Sequence, residues 1–204
     1  KARNAESMSD QKVNPVVDNI PHVITAIEKQ RQAISLCLEN RLIVQGVMLI
    51  YAGIDNLAFL CIANGPDVSR NDFCAFIEKF FDPQNSLECT ALELYGARCG
   101  ALHSYSAESN LFRQRKVRVL TYSWGTADPA MANRVFSSDG WEYMHCLSVE
   151  SLQRCYDESL LRIASLAESD ASFHRRLNER GHKFLSHLPS ETLRAYVATR
   201  SSQS

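Results

Sequence analysis

The hydrophobic residues near the start of the chain repeat with helical periods. Residues 22–39 carry apolar side chains three, four or seven positions apart, which predicts an amphipathic helix with one buried stripe. Residues 41–63 are apolar on nearly every side, as expected of a central helix that is covered all round. The sequence NGPD at 64–67 ends this second helix, because glycine and proline do not continue one. The stripe of the first helix consists of Ile24, Ile27, Ile34 and Leu38.

Two further helices are predicted before residue 110. Ser69 followed by Asp72 resembles a capping box and predicts a short helix over about 70–81. After a polar turn, Ser86 is placed to cap a longer helix that runs to about residue 110. This part of the chain is therefore expected to be helical.

The pattern changes after residue 110. Residues 116–124 alternate between apolar and polar and are rich in β-branched and aromatic types, which predicts a strand. Residues 133–137 and 141–147 are interpreted as two more short strands, joined across the sequence SSDG. These segments predict a small antiparallel β insertion at about 116–147.

Two helices follow the insertion, at about 149–167 and 171–186. The predicted fold class is therefore mainly α, a helical bundle that carries a small β insertion. A single domain is expected over residues 22–188, which is an ordinary size for one hydrophobic core. Residues 1–21 are expected to be a disordered lead-in, and residues 189–204 a short C-terminal helix or tail.

Composition and charge exclude few classes of function. Hydrophobic residues make up 45% of the 204 residues and charged residues 22%, the balance of an ordinary soluble protein. The net charge of -1 gives no general attraction to nucleic acid, so an anion site has to come from local clustering of basic residues. The seven cysteines include no CxxC pair, which indicates a reduced, cytoplasmic protein.

Residues 42–63 are long and apolar enough to suggest a membrane span. Asp55 and Asn56 lie well inside this segment, and an aspartate at the bilayer centre costs about 2.5–3.5 kcal/mol on insertion scales. A buried helix of a soluble bundle is therefore expected, with no membrane contact. Residues 1–20 also lack the apolar core of a signal peptide.

An arginine interrupts an apolar row of the helix that is predicted to begin at Ser86. This residue is Arg98, and His103 follows five positions later. Residues five apart on a helix differ by about 140° in direction, so the two side chains are expected to flank one side without direct contact. A buried arginine needs a counter-charge, and Asp55 is its expected partner.

Two glycines, Gly96 and Gly100, lie on either side of Arg98 in the same helix. Glycine costs about 1 kcal/mol relative to alanine in a helix interior, so this pair indicates the close approach of another backbone. A second copy of the same helix, related by a two-fold axis, is the expected neighbour.

The segment LYGARCGALHSYS, in which four residues separate Arg98 from His103, resembles the signature of the HEPN superfamily. The similarity extends over about residues 22–112. It implies a bundle of about four or five helices that forms a homodimer, with two arginines and two histidines in one cleft. It further implies a metal-independent endoribonuclease of a toxin or phage-defence system. RNA and an antitoxin or other protein are the partners that the resemblance suggests.

The two residues suit the cleavage of RNA. A histidine can take the proton of a 2′-hydroxyl or protonate the leaving 5′-oxygen, and an arginine can stabilise charge on phosphate oxygens. Arg98 and His103 are therefore the candidate catalytic residues, with Asp55, Ser104 and Tyr105 in support. Tyr105 lies in an apolar row and is expected to be buried. No cofactor or metal ion is expected, because the sequence shows neither zinc spacing nor a carboxylate cluster for magnesium.

A run of basic residues, FRQRKVR, follows the predicted motif helix. Its side chains are candidates for contacts with nucleic-acid phosphates. The alternative is a solvated loop and a strand edge that its charges protect from aggregation. The four basic residues are Arg113, Arg115, Lys116 and Arg118.

Cys99 directly follows Arg98, at a position where active members of the family usually carry Asn, Asp or His. This difference favours an alternative function, a non-catalytic HEPN-like module that dimerises or binds a nucleotide or a protein partner. Dimer geometry separates the two functions, because catalysis requires Arg98 and His103 of both chains to face an open cleft.

Overall fold

The computed structural model describes residues 18–183. The lead-in up to residue 17 and the C-terminal segment predicted from residue 189 lie outside the described residues. The prediction of a mainly α fold is confirmed, and two short strands accompany the helices. The helices are α1 (Ile20–Glu39), α2 (Ile43–Cys61), α3 (Arg70–Phe76), α4 (Ala91–Ser104), α5 (Asn110–Arg113), α6 (Pro129–Ser138), α7 (Val149–Ser169) and α8 (Ala171–Gly181), and the strands are β1 (Val119–Ser123) and β2 (Met144–Ser148).

The central element is α2, and α1, α3, α4, α7 and α8 pack around it. The bounds predicted for α1 and α2 are confirmed to within about two residues. On α1, Ile34 and Leu38 are buried as predicted, but Ile24 is 55% exposed because it lines an open groove between α1 and α7. Among residues 18–183, α2 is the one helix long and apolar enough to cross a membrane, and half of its apolar window is buried in the protein.

A capping box starts α3, as the sequence predicts. The Ser69 hydroxyl accepts a hydrogen bond from the Asp72 N–H, and the Asp72 carboxylate accepts one from the Ser69 N–H. After Phe76 the chain continues as a π-helical turn over Ile77–Phe81. The Arg162 guanidinium of α7 donates to the carbonyl of Phe80 there, at 2.8 Å, which satisfies an acceptor near the end of the turn.

The start of α4 differs from the prediction. Thr90 is its N-cap, and Thr90 and Glu93 form a second capping box, so the helix begins at Ala91. The Ser86 N–H and hydroxyl donate instead to the Asp82 carboxylate, at 2.7 and 2.8 Å. Ser86 is therefore part of the preceding turn, because the aspartate competes successfully for its hydrogen bonds.

The end of α4 also comes earlier than residue 110. Tyr105 adopts a left-handed conformation, with φ of 49°, and the Ser106 N–H donates to the Gly100 carbonyl at 3.1 Å. This arrangement is a common way to terminate a helix. The chain then turns back along α4 and begins α5 at Asn110.

The predicted antiparallel β insertion is wrong in topology and content. Strands β1 and β2 pair in parallel, with Val119 opposite Met144 and Ser123 opposite Ser148. Residues 133–137, predicted as a strand, lie inside α6, which starts behind the N-cap Asp128 and a proline. A helix that joins two neighbouring strands returns the chain to the same end, so the strands run parallel.

Polar contacts hold this β-α-β unit together and fix it to the helical core. The Asn133 side chain of α6 accepts from the Cys146 N–H at 2.7 Å and donates to the Cys146 carbonyl at 3.1 Å, so α6 covers the backbone of β2. On the other strand, the Tyr122 hydroxyl lies 2.6 Å from the Tyr51 hydroxyl of α2. The small sheet therefore packs against the helical core through β1.

Candidate active site

The candidate site lies where the C-terminal half of α4 packs against the middle of α2. Asp55 is in the middle of α2, and Arg98 and His103 are in the last two turns of α4. The apolar rows of both helices determine this packing, with Leu94 of α4 and Ile54 of α2 completely buried. The hydrophobic core therefore places the three polar residues on neighbouring helices.

Arg98 and Asp55 form the ion pair that the sequence predicts. The Arg98 Nε and Nη2 atoms lie 2.7 and 2.5 Å from the same carboxylate oxygen, Oδ2 of Asp55. Both side chains are largely covered, with exposed fractions of 19% and 18%. The other carboxylate oxygen, Oδ1, is buried and accepts no hydrogen bond from the described residues.

Burial and charge act against each other in this pair. Burial, the largest cause, raises the pKa of Asp55 above its ordinary value, and the hydrogen bond and charge of Arg98 offset part of that effect. Burial also acts to lower the pKa of Arg98, but its bonds to Asp55 and Cys99 outweigh burial and raise that pKa. The guanidinium is therefore a permanent cation, and Asp55 is its counter-charge.

Arg98 also contacts His103, which contradicts the expectation that the two do not meet. The Arg98 Nη1 atom lies 3.1 Å from Nε2 of His103. The Cβ atoms do point in different directions, but the long arginine side chain bends along the helix surface and spans the gap. A guanidinium has no acceptor, so it donates this hydrogen bond and Nε2 accepts it. This hydrogen bond therefore requires the tautomer whose proton is on Nδ1.

Two neighbours of Arg98 complete the immediate surroundings. The guanidinium lies over the Tyr95 ring, 5.9 Å from its centroid, a cation–π contact. The Cys99 sulfur is 3.8 Å from Nη1. His103 is exposed to solvent, whereas Arg98 and Cys99 are partly covered. The site therefore presents an imidazole at the surface, with a fixed cation directly behind it.

The two supporting residues Ser104 and Tyr105 directly follow His103 in the chain. Tyr105 is 64% exposed, not buried as its apolar row predicts, because it occupies the left-handed cap where the chain leaves α4. Its hydroxyl accepts a hydrogen bond from the Gln45 side chain of α2, at 3.1 Å. The side chain of Ser104 lies outside the part of the chain that the structure describes.

The two glycines of α4 are explained by contacts inside the chain. A Cβ atom at Gly100 would collide with the carbonyl oxygen of Ser106, and one at Gly96 would lie 3.1 Å from the Val117 side chain. The chain after α4 therefore folds back tightly against the helix, which requires glycine at position 100 and leaves little space for a side chain at position 96. The glycines are not evidence for a second copy of α4, and the homodimer stays a prediction.

The four basic residues after α4 do not act as one group. Arg118 is bound to Glu93, with Nε 2.6 Å from Oε1 and Nη2 3.1 Å from Oε2, and Nη2 also donates to the Glu88 carbonyl. Burial would raise the pKa of Glu93, but its hydrogen bonds with Arg118 and the Thr90 N–H lower it to about 2. Arg118 is therefore neutralised, and it is a structural residue of the contact between α4 and β1.

The other three basic residues are exposed and surround a separate cavity of about 670 Å³. Neither Arg98 nor His103 lines this cavity, so the basic patch that was expected beside these two residues is a separate surface. Tyr143 also lines it, a residue that sequence reasoning missed. The parallel pairing brings it there, because the Val119 N–H at the start of β1 donates to the Tyr143 carbonyl at 2.7 Å.

Side chains that bind metals are dispersed. In residues 18–183 no group of three or more His, Cys, Asp or Glu residues is close enough together to hold a metal ion. His145 is buried, and one of its ring nitrogens lies 3.2 Å from the Leu87 carbonyl. That histidine is therefore part of the core.

Comparison with known proteins gives no match. No protein-family model, curated protein or solved structure matches this chain. The case for a function therefore rests on the chemistry of the residues themselves, above all on Asp55, Arg98 and His103.

Proposed function

We propose that this protein is a metal-independent endoribonuclease of HEPN type, in which His103 and Arg98 act on a phosphodiester. One observation carries the proposal: an exposed imidazole accepts a hydrogen bond through Nε2 from an arginine that a buried carboxylate holds in place. An unprotonated imidazole nitrogen next to a fixed cation provides a base and an anion site within about 3 Å of each other.

His103 has the role of base. When a phosphate group binds, it offers the Arg98 Nη1 atom a charged acceptor in place of His103, and Nε2 is then free to accept the proton of a ribose 2′-hydroxyl. The 2′-oxygen attacks phosphorus, the bond to the 5′-oxygen breaks, and that oxygen takes up a proton. The products are a 2′,3′-cyclic phosphate and a 5′-hydroxyl.

Arg98 has the role of electrostatic stabiliser. Negative charge grows on the non-bridging phosphate oxygens during the attack, and preorganised donors in a covered site stabilise such charge effectively. Asp55 is a positioning residue, because it holds Nε and Nη2 while Nη1 faces His103. The guanidinium is thus oriented before the substrate arrives, which reduces the cost of reorganisation.

Complete acid–base catalysis needs a second proton carrier for the leaving oxygen. A two-fold homodimer that places the His103 side chains of both chains in one cleft would supply it. The dimer, the toxin or phage-defence context and an antitoxin partner are further parts of this proposal, and the resemblance of the motif to the HEPN superfamily alone supports them. The cytoplasmic location is also part of the proposal, and the absence of a CxxC pair among the seven cysteines supports it.

The alternative is a non-catalytic HEPN-like module, and one observation favours it. Each of the three guanidinium nitrogens of Arg98 already has an acceptor, either Asp55 or His103, and Cys99 also lies next to Nη1. In that case Arg98 is a structural cation that joins α4 to α2. The protein would then bind a partner or a nucleotide without cleaving it.

Cleavage of single-stranded RNA in EDTA tests the proposal. Wild type is compared with His103→Ala and Arg98→Ala, and each variant has a matched control. The controls are His182→Ala, an exposed histidine that directly follows α8, and Arg134→Ala, an arginine that is 74% exposed. We expect both site variants to lose activity by about 10²–10⁴-fold and both controls to keep it. Activity that requires magnesium or survives His103→Ala contradicts the mechanism. If wild type and all folded variants leave the RNA intact, the result favours the binding module.

A further inference from the structure

A basic cavity lies on the surface where α5 ends and the two strands begin. Its volume is about 670 Å³. The sequence brings its parts together in two steps: the run after α5 supplies the cations, and the parallel pairing of β1 and β2 adds an aromatic side chain from the start of β2. We call it the basic cavity, and the residues that matter here are Phe112, Arg113, Arg115, Lys116 and Tyr143.

The charge in this cavity is strongly positive for a chain of net charge -1. Glu93 also lines it, but that carboxylate is paired with Arg118, so the two charges cancel. Arg113 donates to the amide oxygen of Asn110, a neutral group. Arg115 and Lys116 form no ion pair with any acidic residue that the structure describes. Three cations therefore stand without counter-charges around one concave surface.

The cavity also offers an aromatic surface. The rings of Phe112 and Tyr143 lie against each other, with centroids 6.2 Å apart and an angle of 39° between their planes. Tyr143 is 50% exposed, so part of its ring is free to contact a ligand. Half-exposed aromatic rings among cations are typical of surfaces that bind single-stranded nucleic acid, because every base has a face that can stack.

The backbone holds these groups in place. Arg115 has a left-handed conformation, with φ of 55°, and its N–H donates to the Phe112 carbonyl at 2.7 Å. On the opposite wall, the Tyr143 carbonyl accepts from the Val119 N–H at 2.7 Å. A local hydrogen bond therefore fixes the turn at Arg115, and a second one fixes the Tyr143 wall to the start of β1, which lowers the entropy that a ligand has to overcome on binding.

We propose that the basic cavity binds single-stranded RNA, with its three cations on backbone phosphates and one unpaired base stacked on Tyr143. The inference deepens the proposed ribonuclease function and rests on it for the identity of the ligand. The cavity contains neither Arg98 nor His103, so it acts as a second contact that retains the substrate. Duplex RNA fits less well, because base pairing and stacking cover the faces that Tyr143 needs.

The test uses RNA that cannot be cleaved, so that binding and cleavage are separated. The full chain is titrated into fluorescently labelled, 2′-O-methylated single-stranded RNA, and anisotropy is followed at several salt concentrations. His182→Ala, a change outside the basic cavity and outside the candidate active site, is expected to bind as wild type does. Arg115→Ala with Lys116→Ala is expected to bind more weakly and with a salt dependence reduced by about 0.7 per lost phosphate contact.

The aromatic contact is tested with a matched pair of variants. Tyr143→Ala is expected to weaken binding by about 5- to 150-fold, the effect of losing one base–aromatic stack, at every salt concentration. Tyr143→Phe keeps the ring and is expected to bind as wild type does. Circular dichroism checks that each variant is folded, and Arg134→Ala controls for the loss of an exposed cation elsewhere.

The outcomes distinguish this inference from the proposed function. Binding that is unchanged in Arg115→Ala/Lys116→Ala or in Tyr143→Ala overturns the inference, whatever the cleavage assay gives. If duplex RNA competes for the protein as well as single-stranded RNA does, the proposal that a base stacks on Tyr143 is overturned. If the cavity variants lose binding but wild type cleaves no RNA, the binding site stands and the ribonuclease function falls.

Discussion

The Nη1 atom of Arg98 lies 3.1 Å from Nε2 of His103, although the two residues are five apart on the same helix. The contact exists because Asp55 holds the other two guanidinium nitrogens and thereby sets the direction of the arginine side chain. A residue in the middle of α2 therefore orients the guanidinium toward Nε2 of His103. The pair of α4 residues depends on the packing of α4 against α2.

Removal of Asp55 should destabilise the protein. Asp55→Ala leaves the partly covered Arg98 guanidinium without its counter-charge, and an unsatisfied buried polar group costs about 1–3 kcal/mol, more if charged. Asp55→Asn keeps an acceptor oxygen and should cost less. Urea unfolding followed by circular dichroism measures both free energies of unfolding.

The exposed pair of Arg31 and Asp157 provides the control for that experiment, because those side chains are 42% and 38% exposed. Asp157→Ala should change the free energy of unfolding by about 1 kcal/mol or less, as is usual for surface ion pairs. Equal losses from Asp157→Ala and Asp55→Ala would show that the pair with Arg98 has no special importance for the fold.

Stability should fall in acid through Glu93. Hydrogen bonds with Arg118 and Thr90 keep its pKa at about 2 in the folded protein, below the ordinary value of 4.5. Between these two values the unfolded chain binds more protons, so stability decreases as pH falls through that window. The contribution at neutral pH is about 3 kcal/mol, from about 1.4 kcal/mol per unit of pKa difference.

The matched variant is Glu93→Gln, which removes the titrating group and keeps the size of the side chain. Its free energy of unfolding should be lower than that of wild type at pH 7, and the difference should shrink steadily toward pH 2. Thermal unfolding at a series of pH values measures both. A constant difference at all pH values would rule out titration of Glu93 as the cause.

The close return of the chain against α4 predicts a specific effect of alanine at Gly100. The new Cβ atom would meet the Ser106 carbonyl oxygen, which is backbone and cannot rotate away. Overpacking of this kind costs about 1–3 kcal/mol. Gly96→Ala is the control, because its neighbours are mainly the side chains of Val117 and Ser109, which can adjust.

Light scattering on wild type and Gly100→Ala tests whether the glycine serves contact within the chain or contact with a second copy. We expect Gly100→Ala to lower the free energy of unfolding while the molar mass in solution stays that of wild type. A change in molar mass without a loss of stability would mean that the glycine serves contact with a second copy after all.

Local sequence signals predicted the parts of this fold that local interactions determine. The periodicity of α1 and α2 and the capping box of Ser69 and Asp72 are examples, because both act within a few turns of helix. The ion pair of Asp55 and Arg98 could be predicted for another reason: a charge inside an apolar row needs a partner, and few acidic residues were available in the apolar segments.

The features that were predicted wrongly or missed depend on contacts between distant parts of the chain, which short segments do not reveal. Residues 133–137 are too few for their apolar pattern to separate a strand from part of a helix, and only the cap at Asp128 and the following proline indicate α6. The direction of pairing decides that Tyr143 joins the basic residues. The contact of Arg98 with His103 was missed because Cβ directions say little about the reach of a long side chain.

A ribonuclease built on this site should be unable to cut a strand that lacks a free 2′-hydroxyl. The site offers one imidazole as base and one guanidinium for charge, so the nucleophile most easily activated is the ribose oxygen already held next to phosphorus. Replacement of one ribose in an RNA by its 2′-O-methyl form should therefore abolish cleavage at that position and leave neighbouring positions sensitive.

Mass spectrometry of the fragments should detect 2′,3′-cyclic phosphate ends. Fragments that begin with a 5′-hydroxyl should accept phosphate from a polynucleotide kinase without prior dephosphorylation. Fragments with 5′-phosphate and 3′-hydroxyl ends would mean that water is the nucleophile, and this result would remove His103 from the role of base toward the 2′-hydroxyl.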